Sequence, residues 1–235
     1  KIERKDRERV VTITGIVAKG YALSDAVAVA QQYIEKAEIP SEFLVKIGGD
    51  YENQQDSFSG LFLLLLLIVI LVYVVMASQF ESLLDPFVIM FSVPFAIIGV
   101  LIGITVHGIT LDVMALIGIL ILVGIVVKNG IVLIDYAILC HDRGMDINTA
   151  VVTASKQRLR PILMTTLTTV LGMVPMAIGS GEGAEMWNGL GVTVAWGLTI
   201  STLITLVLIP TLYAAFVDRR ERRKGRNVVK LNDEN

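Results

Sequence analysis

The chain has 235 residues, 54% of them hydrophobic, and a mean hydropathy of +0.70, which excludes an ordinary soluble domain. A formal net charge of -2 gives no reason to expect nucleic acid as a partner. The single cysteine, Cys140, excludes an intrachain disulfide framework. The opening KIERKDRERV is densely charged, shows no signal-peptide core, and reads as the interior of a longer protein.

Residues 1–57 are polar and patterned as a small α/β unit. RVVTITGIVA suits a strand. SDAVAVAQQYIEKA, with Ser24 and Asp25 as capping candidates, suits a helix that ends before Pro40. EFLVKIGG suits a second strand closed by a glycine pair. Such a piece buries too little surface to stand alone, so it is expected to complete a sheet supplied by other sequence.

From Phe58 onward, five apolar runs approach or exceed the ~20 residues needed to cross a bilayer. They cover 58–77, 85–106, 111–139, 161–179 and 186–217, followed by a basic tail at 218–235. The expected fold class is therefore membrane all-α, with five transmembrane helices preceded by the small α/β piece. Pro94, Pro175 and Pro210 fall inside the runs, which transmembrane helices tolerate. Gly99 and Gly103 form a GxxxG that permits close helix approach. The connectors 78–84, 107–110 and 180–185 contain no Lys or Arg, whereas 140–160 holds Arg143, Lys156, Arg158 and Arg160, and the tail holds RRERRKGR. Both basic segments fall on one side in a five-span count, which makes them cytoplasmic and puts residues 1–57 on the opposite side. The tail reads as a solvated end near anionic lipid.

Within the third run, GIVVKNGIVLIDY places Lys128 and Asn129 among Ile, Val, Leu and Gly. Lys128 lies roughly 25 Å along that helix, too deep for easy snorkelling. A central Lys costs about 2.5–3.5 kcal/mol on insertion scales, so an ionisable residue there implies a function and a partner. Asp135 is about 10 Å further along the axis at the expected headgroup level, Asp85 and Asp112 look like helix starts, and Glu182 and Glu185 lie in an outer loop. None is placed to neutralise Lys128, so its partners are expected on helices outside this sequence. RLRPILMTTLTT in the fourth run places Arg158 and Arg160 at the cytoplasmic entrance, with Thr165, Thr166, Thr168 and Thr169 inside. Most such hydroxyls bond back to the i−4 carbonyl; which of them faces Lys128 is open at this stage.

These two stretches carry a resemblance. GIVVKNGIVLIDYA and KQRLRPILMTTLTTVLGMVPMAI resemble the tenth and eleventh helices of the resistance–nodulation–division (RND) efflux transporters, in the C-terminal half of their membrane domain. GSGEGAEMWNGLGVTVAWGL resembles the loop into the twelfth helix, Pro86 to Val106 the ninth, and Phe58 to Ala77 the eighth. Residues 1–57 resemble, less closely, the last part of the periplasmic porter domain. The resemblance implies a homotrimeric inner-membrane proton/drug antiporter, driven by proton-motive force without a cofactor. It also implies a periplasmic adaptor protein, an outer-membrane channel and an N-terminal half carrying an acidic pair. By position, Lys128 matches the family's essential lysine, Thr165 the hydroxyl facing it, Arg158 the basic residue at the cytoplasmic side, and Asn129 the residue that often follows the lysine.

Other classes fit less well. GSGEGAE lacks the G-K-[ST] ending of a P-loop, and no Ser/His/Asp or Cys/His set is placed to act together, so the chain is not read as an enzyme. His107 and His141 fall on opposite membrane sides and share no metal. Some RND relatives export copper or silver through methionines, and Met164, Met173 and Met176 share one helix, with Met76, Met90 and Met114 in others. Methionine in an apolar helix ordinarily fills gaps, which favours organic amphiphiles as cargo over soft metals. A non-transporting membrane scaffold is the remaining alternative. The substrate site is expected in porter sequence beyond these residues.

Overall fold

The computed structural model describes residues 3–5, 8–17, 23–37, 39–40, 43–179 and 184–233, with side chains placed over 9–17, 23–37, 39–40, 43–49, 51–179 and 186–219. The chain divides into two compact units, Lys1–Asp56 and Ser57–Asn235.

In the first unit, β1 (Glu3–Lys5) pairs antiparallel with β2 (Glu8–Val10), with Glu3 opposite Val10 and Lys5 opposite Glu8. Helix α1 (Leu23–Lys36) carries Asp25 in its first turn, where a carboxylate suits the helix dipole, and Lys36 in its last. Of the strands expected over RVVTITGIVA and EFLVKIGG, only Arg9 and Val10 at the start of the first are formed, within β2: residues 11–17 and 43–48 have no regular structure, and Val11, Ile13, Ile16, Phe43 and Leu44 are exposed. The physical reason is that a strand is a pairwise element. Its N–H and C=O groups need a neighbouring strand, and among the described residues these segments have none.

The membrane-length helices are α2 (Asp50–Phe80), a pair formed by α3 (Leu84–Met90) and α4 (Ser92–His107), α5 (Val113–Asp142), α6 (Ile147–Ile178) and α7 (Ala184–Asp233). Among the described residues, five spans are long and apolar enough to cross a membrane, as the hydropathy pattern predicts. The second span is broken at Phe91. Pro94 has no N–H to bond the carbonyl of Met90 and its ring crowds that carbonyl, and the Ser92 hydroxyl donates to the Ile89 carbonyl at 2.7 Å within the gap. Asp112 caps α5 by accepting from the Ala115 N–H at 2.7 Å, and Gly108 closes α4 in the left-handed region at φ 62°.

The largest correction concerns α6. The basic stretch 140–160 reads as a connector, yet the helix begins at Ile147 behind the Asp146 cap and runs through Pro161. Ile147, Ala150, Val151 and Ala154 are buried at helical spacing on one side of it. Charge on the opposite face lowers the mean hydropathy without weakening the helix, so apolar length alone misplaces its start.

Helix α7 is central and packs against α4, α5 and α6. In their most apolar windows, 56% of α5 and 50% of α7 are buried, against 11% of α6 and 6% of α2, so the last two form the outer faces. The GxxxG of α4 meets α7, where a Cβ on Gly99 would lie 3.0 Å from the Gly197 Cα and one on Gly103 would lie 2.6 Å from the Trp196 Cβ. One core cluster gathers Met76, Ile89, Leu133, Ile134, Ile162 and Ile209.

Candidate functional site

Successive residues of a helix turn through about 100°, and α5 uses that rotation to separate two environments. Val126, Val127, Asn129, Gly130, Leu133 and Ile134 are buried, whereas Ile121, Gly124, Lys128 and Asp135 are exposed along one stripe. Lys128 therefore lies on a face that the other helices of the chain leave uncovered, and its neighbour Asn129 faces the interior. Among the described residues no carboxylate pairs with Lys128.

The short turn 143–146 makes α5 and α6 antiparallel, and their level is fixed where the Tyr136 hydroxyl donates to Gln157 Oε1. Eight residues back along α5 from Tyr136 is Lys128, and eight forward along α6 from Gln157 is Thr165. The register thus brings Lys128 and Thr165 to one level, about 12 Å from the tyrosine. Thr165 is exposed, and its hydroxyl donates to the carbonyls of Ile162 at 2.9 Å and Pro161 at 3.2 Å. The same count places Asp135 level with Arg158. Arg158 is half-buried with its guanidinium carbon 4.6 Å from the centre of the Tyr136 ring, and its Nε is buried without a hydrogen-bond partner.

Of the four candidate sites, then, Lys128, Thr165 and Arg158 belong to the outer α5–α6 seam, whereas Asn129 is separated from them on the inner side. Asn129 lines a crevice with Val126, Leu133, Ile162, Ser201, Thr202 and Thr205, between α5, α6 and α7. There the buried Thr166 hydroxyl meets that of Thr202 at 3.3 Å, Ser201 donates to the Leu198 carbonyl at 3.3 Å, and the Thr205 hydroxyl is buried without a partner. Thr168 and Thr169 bond back to the carbonyls of Met164 and Thr165, at 2.8 and 2.9 Å. Thr166 alone among the four leaves its own helix. Sequence reading missed this hydroxyl cluster because Ser201, Thr202 and Thr205 sit in a run that otherwise reads only as a span. Their i, i+1, i+4 spacing, which puts them on one face, was the available signal.

No group of three or more His, Cys, Asp or Glu side chains is placed to hold a metal among the described residues. Met76 is core and Met164 is exposed on another helix.

Residues 1–217 match the model of the AcrB/AcrD/AcrF family. The chain is 38% identical over 225 residues to the swarming motility protein SwrC of Bacillus subtilis (strain 168), covering 95% of this chain and 21% of that protein. It is 34% identical over 216 residues to the multidrug resistance protein MdtC of Proteus mirabilis (strain HI4320), covering 92% and 21%. A crystal structure of a heavy metal efflux pump superposes with a TM-score of 0.72 at 34% identity, over 83% of this chain and 20% of that one. The chain thus spans about a fifth of the length of the proteins it matches.

Proposed function

The chain belongs to the AcrB/AcrD/AcrF family, the RND efflux transporters, and from that premise we propose that its five spans carry the cationic half of a proton relay that drives efflux across the cytoplasmic membrane. The family is one of transporters rather than enzymes. The observation that carries the reading is Lys128, an ammonium on an uncovered face of an apolar helix, level with Thr165 and without a carboxylate partner among the described residues.

An isolated ammonium in hydrocarbon is costly, and removing one member of a buried pair is worse than never forming it. The uncovered stripe of α5 is accordingly where helices of an N-terminal half dock, bringing two adjacent carboxylates to Lys128. While ionised they hold the ammonium; their mutual repulsion favours uptake of one proton from the outer side. Protonation weakens the pair and frees Lys128 to turn toward Thr165, whose hydroxyl exchanges a carbonyl for the ammonium. Asn129, fixed in the inner crevice, is the amide that transmits the shift of α5 to α6 and α7, and Arg158 is the cation at the cytoplasmic end. Each proton crossing ~100 mV supplies about 2.3 kcal/mol. Proton-motive force is the energy source, and no cofactor is required.

The working assembly is a homotrimer, with residues 1–57 on the periplasmic side, the tail in the cytoplasm, and a periplasmic adaptor and outer-membrane channel continuing the path. Organic amphiphiles are the preferred cargo, supported by the likeness to MdtC and by methionines scattered between core and surface. The likeness to a heavy metal efflux pump supports a second reading, soft-metal export. Tolerance to ethidium against tolerance to silver, in cells expressing the complete transporter, separates the two.

The test of the relay is Lys128→Ala in the complete transporter. The expected result is normal membrane abundance with proton-coupled efflux abolished. Unchanged coupled efflux at equal abundance overturns the reading.

A further inference from the structure

Arg158 is held in an unusual way. Its guanidinium lies over the Tyr136 ring at 4.6 Å, both side chains are half-buried, and its Nε has no acceptor. The Tyr136 hydroxyl donates to the side chain of Gln157, the residue preceding Arg158, so the ring is tied at its polar end to the same turn of α6 that it supports. We propose that Tyr136 is a positioning residue for Arg158, presenting the guanidinium at the end of the α5–α6 seam in the orientation the relay uses. The inference rests on the relay assigned above to Lys128, Thr165 and Arg158.

The argument is one of matched strength. A cation that takes part in a relay must change partners during each cycle. A carboxylate neighbour would hold Arg158 firmly but would also neutralise it, and breaking such a pair in low dielectric is costly. A ring face attracts the guanidinium through its quadrupole, an interaction far weaker than an ion pair, and leaves the positive charge and the N–H donors unspent. Arginine suits the arrangement better than lysine because its planar, weakly hydrated group stacks on a ring.

The placement agrees with this. Tyr136 lies eight residues after Lys128 and Arg158 seven before Thr165, so both occupy the next tier of the same seam, ~10–12 Å along the helices. The free Nε marks where an incoming acceptor would be received.

The test uses the complete transporter in proteoliposomes under an imposed proton gradient. Proton flux is read from a trapped pH-sensitive dye, with ethidium or silver ion as cargo, whichever the wild type exports. Tyr136→Leu is expected to lower the coupled rate about threefold to tenfold at equal abundance. Tyr136→Phe and Tyr136→Trp, which keep a ring face, are expected to retain more than about half of it. In an Arg158→Gln background Tyr136→Leu should cost nothing further, since the ring then has no cation to hold. Should Tyr136→Leu fail to accumulate, Tyr136→Met keeps more of the volume and carries the same comparison. A wild-type rate in Tyr136→Leu, an equal loss in Tyr136→Trp, or additive losses in the double variant overturns the proposal. Lys128→Ala run in parallel separates the two layers: if it retains coupled flux, the relay reading fails. If it is dead while Tyr136→Leu matches wild type, only the role of Tyr136 fails.

Discussion

Thr165 and Thr166 are adjacent, and one residue of helix rotation gives their hydroxyls different work. Thr165 faces outward and bonds the carbonyls of its own turn, so replacing it by valine leaves no buried donor unsatisfied. Thr166 faces inward and meets Thr202 of α7, thirty-six residues on, where both side chains are buried. Thr166→Val should therefore weaken the α6–α7 interface by about 0.6 kcal/mol and by no more than about 1.7, the average and the maximum found for hydrogen bonds between membrane helices. Thr165→Val should change stability by less than about 0.5 kcal/mol and instead reduce proton-coupled efflux. Denaturant titration in detergent, set beside efflux rates for both variants, checks the pair of outcomes; a reversed pattern would show that the faces are misassigned. Four threonines at 165, 166, 168 and 169 spread over roughly 160° of the helix, from its outer face to its inner one, which is why the sequence announced interior hydroxyls without saying which one crosses to a neighbour.

At the scale of elements, the decisive contact is the approach of α7 to α6 at Gly191. A Cβ there would stand 2.6 Å from the backbone nitrogen of Ala177 and 2.8 Å from the carbonyl carbon of Met176, atoms that cannot rotate away. Gly191→Val must push the two helices apart and should cost about 1–3 kcal/mol, read as a lower melting temperature of the purified membrane domain. Gly60 in α2 has nothing within 4 Å of its would-be Cβ, so Gly60→Ala should be neutral or stabilise by roughly 0.5–1 kcal/mol through helix propensity alone. Equal effects at the two positions would argue against the packing. Long elements such as α2 and α5 were legible from the sequence because uninterrupted apolar length is itself the physical requirement for crossing a bilayer. The break at Phe91 was not read from Pro94, since a proline can equally be absorbed as a kink. The start of α6 was hidden by the exposed charges of Lys156 and Arg160 and the half-buried Arg158, on a helix whose other face is apolar. The strands expected near Val11 and Phe43 failed for a further reason: an apolar run can state a preference for strand but cannot supply the partner.

For the whole molecule, the proposed coupling requires two surfaces, and in that reading these five spans present one of them. The candidate site was legible as far as residue type allows: an ammonium deep in an apolar helix is costly enough to require explanation, whichever face it occupies. Its outward direction, and the inward direction of Asn129, came only from the packing of α4, α6 and α7 around α5. That direction carries a consequence for the chain taken alone. A proton relay needs a group that gains and loses a proton at the level of Lys128, and the described carboxylate on its stripe, Asp135, is seven residues away, about 10 Å along the axis. A lone ammonium at that depth is a barrier to protons rather than a path for them. Liposomes containing only these 235 residues should therefore show no proton flux above empty liposomes when a gradient is imposed and a trapped pH-sensitive dye is followed. Co-reconstitution with the N-terminal helices of the same transporter should restore flux, and Lys128→Ala should remove it again. If this chain alone conducted protons, and lost that conductance on Lys128→Ala, the acidic partner would have to lie within these spans and the two-surface account of coupling would be wrong.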